Sequence, residues 1–274
     1  MPPEIHNRYE YSDCLNINAA LAINSGIRRA RGQFILPGNI DLLYSSELME
    51  YLASKHLDEN KRYRIDRCDV DRNVAVYKTL EEQLEYCRNN IIKVQRHNPE
   101  TKSRFRRKLP KLHTMACGDF QLLSKKWWHK LHGYSEADII SAYADTILSY
   151  ASYAAGVREV VLKDPMRLYH IDHENTFNER KFESGFLGEK VLDLPVFPSK
   201  IRRKTKSLLR LFLFHTGYRF KSRIDGIPTL HYLECIRLCR DMIFGKHSYV
   251  MNDDNWGLGQ ESLKESIINT ADWD

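Results

Sequence analysis

The chain has 274 residues, of which 42% are hydrophobic, so it can bury one large domain or one domain with a helical appendage. Charged residues make up 28%, ordinary globular usage that excludes a disordered chain, and the net charge of +6 is unevenly spread. No stretch approaches the roughly 20 apolar residues of a membrane span, and the N-terminus carries no apolar signal region.

Asn16 to Arg31 predicts a helix, because Ile17, Ala20, Leu21, Asn24 and Ile27 recur at helical spacing and Gly32 stops it. Gln33 to Pro37 reads as a short apolar strand, followed by a tight turn over Gly38, Asn39, Ile40 and Asp41. A second helix is expected from near Ser46, with Glu47 in its first turn and Leu48, Met49 and Leu52 facing inward. Helix, buried strand, turn with an acid and helix make an α/β arrangement. Ligands in such sheets bind beyond the carboxyl ends of strands, where Asp41 falls. Tyr63 to Val70 predicts another strand, and Thr79 with Glu82 forms a capping box for a helix through about Arg96. Asn98 to Lys111 reads as a basic linker with Pro110 near its end, and Leu112 to Leu123 as a strand. Ser124 caps a short helix carrying Trp127, Trp128 and Leu131, closed by Gly133. A long helix is expected over Asp138–Ala155 with Gly156 at its end, then short strands at Val160–Leu162 and Leu168–Ile171. Beyond Pro198 the chain turns basic, with helices expected near Lys200–Arg219 and Pro228–Phe244.

Two basic runs stand out, one at Lys102, Arg104, Arg106, Arg107, Lys108 and Lys111, the other from Lys200 to Arg223. Such runs attract phosphates, although each taken alone fits a solvated helix face better. In the second run, Leu208 to Phe214 supplies apolar residues. The stretch fits an amphipathic helix against anionic lipid or a helix packed on the domain with a basic outer face. None of the six cysteines lies in a C-x-x-C pair, so they read as reduced, mostly buried thiols of a cytosolic protein. His231, Cys235 and Cys239 sit four apart on one helical face with no second ligand cluster nearby, which favours packing over a metal site.

Asn39-Ile40-Asp41 ends the first predicted strand with an acid, a suitable first ligand for an oxygen-preferring divalent cation, although the tripeptide alone is also an ordinary turn. Before it, Asn24, Gly26, Ala30 and Gly32 are spaced N-x-G-x-x-x-A-x-G. Downstream come Ala116-Cys117-Gly118-Asp119-Phe120, then Trp127, then Gly133-Tyr134-Ser135-Glu136, a helix carrying Asp145, and Tyr169-His170-Ile171-Asp172-His173. In this order, from about Asn24 to His173, the segments resemble the family 2-type glycosyltransferases with the GT-A fold. There, a helix end of this spacing leads through an apolar strand to a D-x-D turn, and a closing strand places a metal-binding His.

The resemblance implies a GT-A-like mixed sheet flanked by helices over residues 1–175, with 176–274 a helical, basic extension. It implies transfer of a sugar from a nucleotide-diphosphate donor to a hydroxyl acceptor, inverting and dependent on Mn2+ or Mg2+. The departing diphosphate gathers negative charge that a cation must balance, and the attacking hydroxyl needs a base on the opposite side of the sugar. Asp41 is then the metal-binding acid, with His170 the second ligand and His173 its substitute. Residues three apart on a regular strand cannot both face the site. Asn39 stands where the first Asp of D-x-D would be, and with Arg28 falls on the donor side. Asp145 is the general base with Glu136 behind it, and Asp119, Tyr134 and Trp127 contact the acceptor, a glycan or a lipid-linked sugar at the membrane periphery. His170 also fits a hydrogen-bonded core histidine, and Trp127 and Trp128 fit a core better than a sugar platform. Only 40 residues precede Asp41, so the first strand-helix units, which hold the donor's base and ribose, are expected to be lacking, as in a truncated enzyme.

Two other functions remain on the sequence. One is a non-catalytic carbohydrate- or partner-binding remnant of the same fold. The other is a nucleic-acid-binding protein using the basic runs, which ranks last because no recognition motif accompanies them. A nucleotidyltransferase is disfavoured by the absence of a G-x-x-x-x-G-K phosphate loop.

Overall fold

In the computed structural model, the described residues are 1–97, 105, 109–137, 140, 142–173 and 208–263, with the backbone of 182–185. The first basic run falls outside them except for Lys111, as do the part of the second before Leu208 and the expected helix start at Asp138.

The chain opens with a one-turn helix α1 (Pro3–His6) and then α2 (Ala19–Arg29), whose N-cap Asn18 accepts the Leu21 amide at 3.2 Å. Ala20, Leu21, Asn24 and Ile27 are buried as their spacing predicts, whereas Ile17 precedes the helix and is exposed. Strand β1 (Phe34–Ile35) leads through the 38–41 turn into β2 (Leu42–Tyr44) and α3 (Ser46–Ala53), where the Ser45 hydroxyl caps the Leu48 amide. Leu48 is fully buried but Met49 is exposed, so the helix presents a narrower apolar face than expected.

The single strand expected over Tyr63–Val70 is two, β3 (Lys61–Ile65) and β4 (Arg67–Val70). The break is Asp66, whose carboxylate accepts from the His97 amide at 2.8 Å and meets His113 Nε2 at 2.9 Å. Helix α4 (Leu80–Asn89) has the predicted Thr79/Glu82 capping box but stops well before Arg96. Ile91, Ile92 and Val94 instead form β5 (Ile91–Gln95), where β-branched side chains pair against β4. Leu112–Leu123, expected as a strand, is largely irregular. Ala116 takes a left-handed conformation (φ 44°), and only β6 (Leu123–Ser124) pairs regularly, after a bridge between Leu122 and Tyr63.

Helix α5 (Lys125–Leu131) follows, then α6 (Ala144–Ala154), ended by Gly156 at φ 101°. The Trp128 indole is fully buried and donates to the Ile35 carbonyl at 3.0 Å, locking α5 to β1. Strands β7 (Arg158–Leu162) and β8 (Leu168–Ile171) lie where the sequence predicts short strands. The C-terminal part is not purely helical. It holds β9 (Phe182–Gly185), a helix α7 over 208–215, a hairpin of β10 (Lys221–Ile224) and β11 (Ile227–Thr229), and α8 (Tyr232–Ile243). The hairpin turns on Asp225-Gly226, both at positive φ, so the helix expected from Pro228 starts only at Tyr232.

Strand pairing runs β1-β6-β3-β7, with the Leu122–Tyr63 bridge joining β6 to β3 and β3 parallel to β7. A second sheet has the order β2-β8-β4-β5, and a third β11-β10-β9. The architecture is mixed α/β. Residues Leu233, Cys235, Ile236, Cys239 and Met242 of α8 join Trp128, Ile147, Leu148 and Ala151 in one core. Cys235 and Cys239 are buried there, and His231 caps α8 by accepting the Leu233 amide. Among the described residues no helix is long and apolar enough to cross a membrane.

Candidate metal centre and the acids around it

The 38–41 turn hands Asp41 to the start of β2. Beside β2 lies β8, with Leu42 opposite His170, and beside β8 lies β4, with Asp69 opposite His170. Paired residues of neighbouring strands point to the same face, so this register sets Asp69 and His170 side by side. One oxygen of Asp41, Oδ2, lies 3.2 Å from His170 Nε2 and 2.9 Å from His173 Nε2. The other, Oδ1, is buried without a hydrogen-bond partner among the described residues. The three ligand atoms lie within 4.8 Å of one another and can hold a metal ion. Both histidines reach Asp41, contrary to the alternation expected of a strand. Strand β8 ends at Ile171, which leaves His173 in the following loop and free of the two-residue period.

From Asp41 the contacts run in a closed ring. His170 Nδ1 lies 3.4 Å from Asp69 Oδ1, and Arg67 Nε lies 2.8 Å from that same oxygen. Arg67 Nη1 donates to Asp119 Oδ2 at 3.0 Å, and Asn39 Nδ2 donates to Asp119 Oδ1 at 2.9 Å. Asn39 belongs to the same turn as Asp41. The ring holds three carboxylates, Asp41, Asp69 and Asp119, against one guanidinium, Arg67. With neutral histidines it carries a formal excess of two negative charges, a field that favours a bound cation.

Asp145 lies in the first turn of α6, where a negative charge complements the helix dipole and an end whose N-cap, Tyr143, provides no side-chain cap. Its Oδ2 accepts from the Cys117 thiol at 3.1 Å, and its Oδ1 from the Thr146 amide at 3.1 Å. Burial, and next the Asp145 charge, push the Cys117 thiol well above its ordinary value, so it stays protonated and donates. A Cβ at Gly118 would stand 3.3 Å from Asp145 Oδ2. The turn that carries Asp119 therefore packs directly on Asp145.

Other expected site residues lie elsewhere. Asn24 donates to Glu136 Oε1 at 2.7 Å and to the Tyr134 carbonyl at 2.8 Å, and accepts from the Tyr134 amide at 2.8 Å. Gly133, at φ 72°, leaves room for that amide group, since a Cβ there would fall 2.3 Å from Asn24 Oδ1. Glu136 Oε1 also accepts the Gly257 amide at 2.8 Å. Its carboxylate thus pins α2 to a C-terminal loop. Burial raises its pKa, opposed by the hydrogen bonds from Asn24 and Gly257. Arg28 serves the same junction, donating to the Asp254 and Trp256 carbonyls and lying over the Trp256 ring at 5.2 Å. Tyr134 packs on Trp128 in the core, and Trp127 is buried under the Lys130 ammonium. Both rings belong to the core, at 8% exposure for Trp127 and 5% for Tyr134.

Arg67 and Asp69 carry no motif and were not singled out by sequence. The available signal is two opposite charges two apart, one on each side of the buried Cys68, in a segment that otherwise reads as a strand. No protein-family model matches the chain, and no curated protein matches it.

Proposed function

We propose that this chain is a metal-dependent, inverting glycosyltransferase acting on a nucleotide-diphosphate sugar, with a GT-A-like arrangement of its mixed sheets. The observation that carries the reading is the meeting of Asp41 with His170 and His173 at one carboxylate oxygen, across some 130 residues of chain. The free thiols favour a cytoplasmic setting.

Asp41, His170 and His173 would hold the cation, which supplies positive charge against the departing diphosphate. One carboxylate and two imidazoles suit Mn2+ better than Mg2+, which prefers an all-oxygen shell. Asn39 and Asp119 fix the turn that presents Asp41. Asp145 is the base: it takes the proton of the acceptor hydroxyl as that oxygen bonds to the anomeric carbon and the bond from that carbon to the diphosphate oxygen breaks. The Cys117 thiol and the Thr146 amide hold its carboxylate in one orientation while leaving lone pairs for the acceptor.

Calorimetric titration of UDP and GDP, with Mn2+ and with EDTA, tests the reading. Mn2+-dependent binding abolished by Asp41→Ala is expected. Binding of neither nucleotide under any condition would favour a non-catalytic remnant of the fold.

A further inference from the structure

We infer that Asp69 and Arg67 are positioning residues of the metal centre: Asp69 orients the His170 imidazole through Nδ1, and Arg67 ties Asp69 to Asp119. The inference rests on reading Asp41, His170 and His173 as metal ligands, but not on sugar transfer.

The two edges of the His170 ring face different partners. Nε2 lies toward Asp41 and Nδ1 toward Asp69. His170 Nδ1 and Asp69 Oδ1 are both buried, and neither makes a hydrogen bond of normal geometry among the described residues. At 3.4 Å the two are complementary groups, a ring N–H and a carboxylate oxygen, within reach of a hydrogen bond. A carboxylate on Nδ1 fixes the tautomer that leaves the Nε2 lone pair for a metal and makes that nitrogen a better ligand.

Asp69 is itself held from two sides. Gln95 Nε2, on β5, donates to its Oδ2 at 3.0 Å, and Arg67 Nε stands 2.8 Å from its Oδ1. The Arg67 guanidinium reaches Asp119 with its other end. That span needs the planar fork of arginine, because a lysine ammonium is a single point charge on a flexible stem. A plain ion pair within a sheet would stabilise the fold without touching metal affinity, and this separates the two roles.

The test is Mn2+ binding to the full chain, followed by calorimetry and by the nitrogen couplings of bound Mn2+ in electron spin echo spectra. Asp69→Asn, which keeps shape but removes charge, is expected to raise the Mn2+ dissociation constant about 10–100-fold and to alter the imidazole couplings. Arg67→Lys should weaken binding in the same direction by a smaller factor. Unchanged affinity and couplings in both folded variants, with binding still lost in Asp41→Ala, overturns the positioning role and leaves the metal centre standing. Mn2+ binding weakened by Asp69→Asn in a chain that binds neither UDP nor GDP supports the positioning role and overturns the glycosyltransferase reading. No Mn2+ binding by the unaltered chain overturns both.

Discussion

Asn39 donates through Nδ2 to Asp119 Oδ1 over 2.9 Å, joining the turn that carries Asp41 to a segment 80 residues away. An amide at position 39 suits this contact better than a second acid, because it supplies the donor that Asp119 needs.

Asn39→Asp therefore exchanges a hydrogen bond for two carboxylates in contact. A loss of about 1–2 kcal/mol is expected, or roughly 2–6 °C in melting temperature at pH 7.5. The loss should shrink at pH 4, where carboxylates carry less charge. Thermal melts of both proteins at the two pH values measure it.

Asp145→Asn removes the proposed base but keeps the shape and the acceptor side of the carboxamide. Turnover should fall about 10²–10⁴-fold while Mn2+-dependent nucleotide binding is retained. A fall in nucleotide affinity of the same size would assign Asp145 to binding instead.

Glu136 separates charge from hydrogen bonding. Its folded pKa is raised, so the protonated form is favoured in the folded chain. Its contribution to stability is lost as pH rises from the unfolded carboxyl value, about 4.3, through the folded one. Glu136→Gln keeps the acceptor for Asn24 and Gly257 without the charge, and its stability relative to the parent should rise between pH 4 and pH 7. Glu136→Ala leaves those donors unpaired and should cost about 1–3 kcal/mol at every pH. Denaturant unfolding across this range gives both comparisons.

His113 predicts the opposite slope. Burial, and next the neighbouring Arg64, lower its pKa to about 4, so it stays neutral in the folded chain while the unfolded chain protonates it near 6.5. Stability should fall as pH drops from 6.5 toward 4, by on the order of 2 kcal/mol at pH 5 from this residue. In His113→Gln the fall between pH 7 and pH 5 should be smaller, as read by chemical denaturation.

The elements whose signals are local were legible in the chain itself. The Thr79/Glu82 capping box, the apolar stripe of α2 and the short strands β7 and β8 each depend on residues within a turn or two of one another. Where sequence reasoning failed, pairing decided. Ile91–Gln95 became a strand because β4 lay beside it, and Leu112–Leu122 stayed largely irregular, with turns around the left-handed Ala116 (φ 44°).

The site divides the same way. Sequence alone offered Asp41, an acid in the turn after a strand, and the family resemblance added Asp119, Asp145 and His170 as candidates, because its motifs are written in neighbouring residues. Only the tertiary structure decided that His173 joins His170 on Asp41, that Arg67 and Asp69 close the ring, and that Arg28, Trp127, Tyr134 and Glu136 serve packing and the C-terminal junction. Strand register and the end of β8 set those meetings. Register is a property of two strands together, so neither strand's own sequence states it.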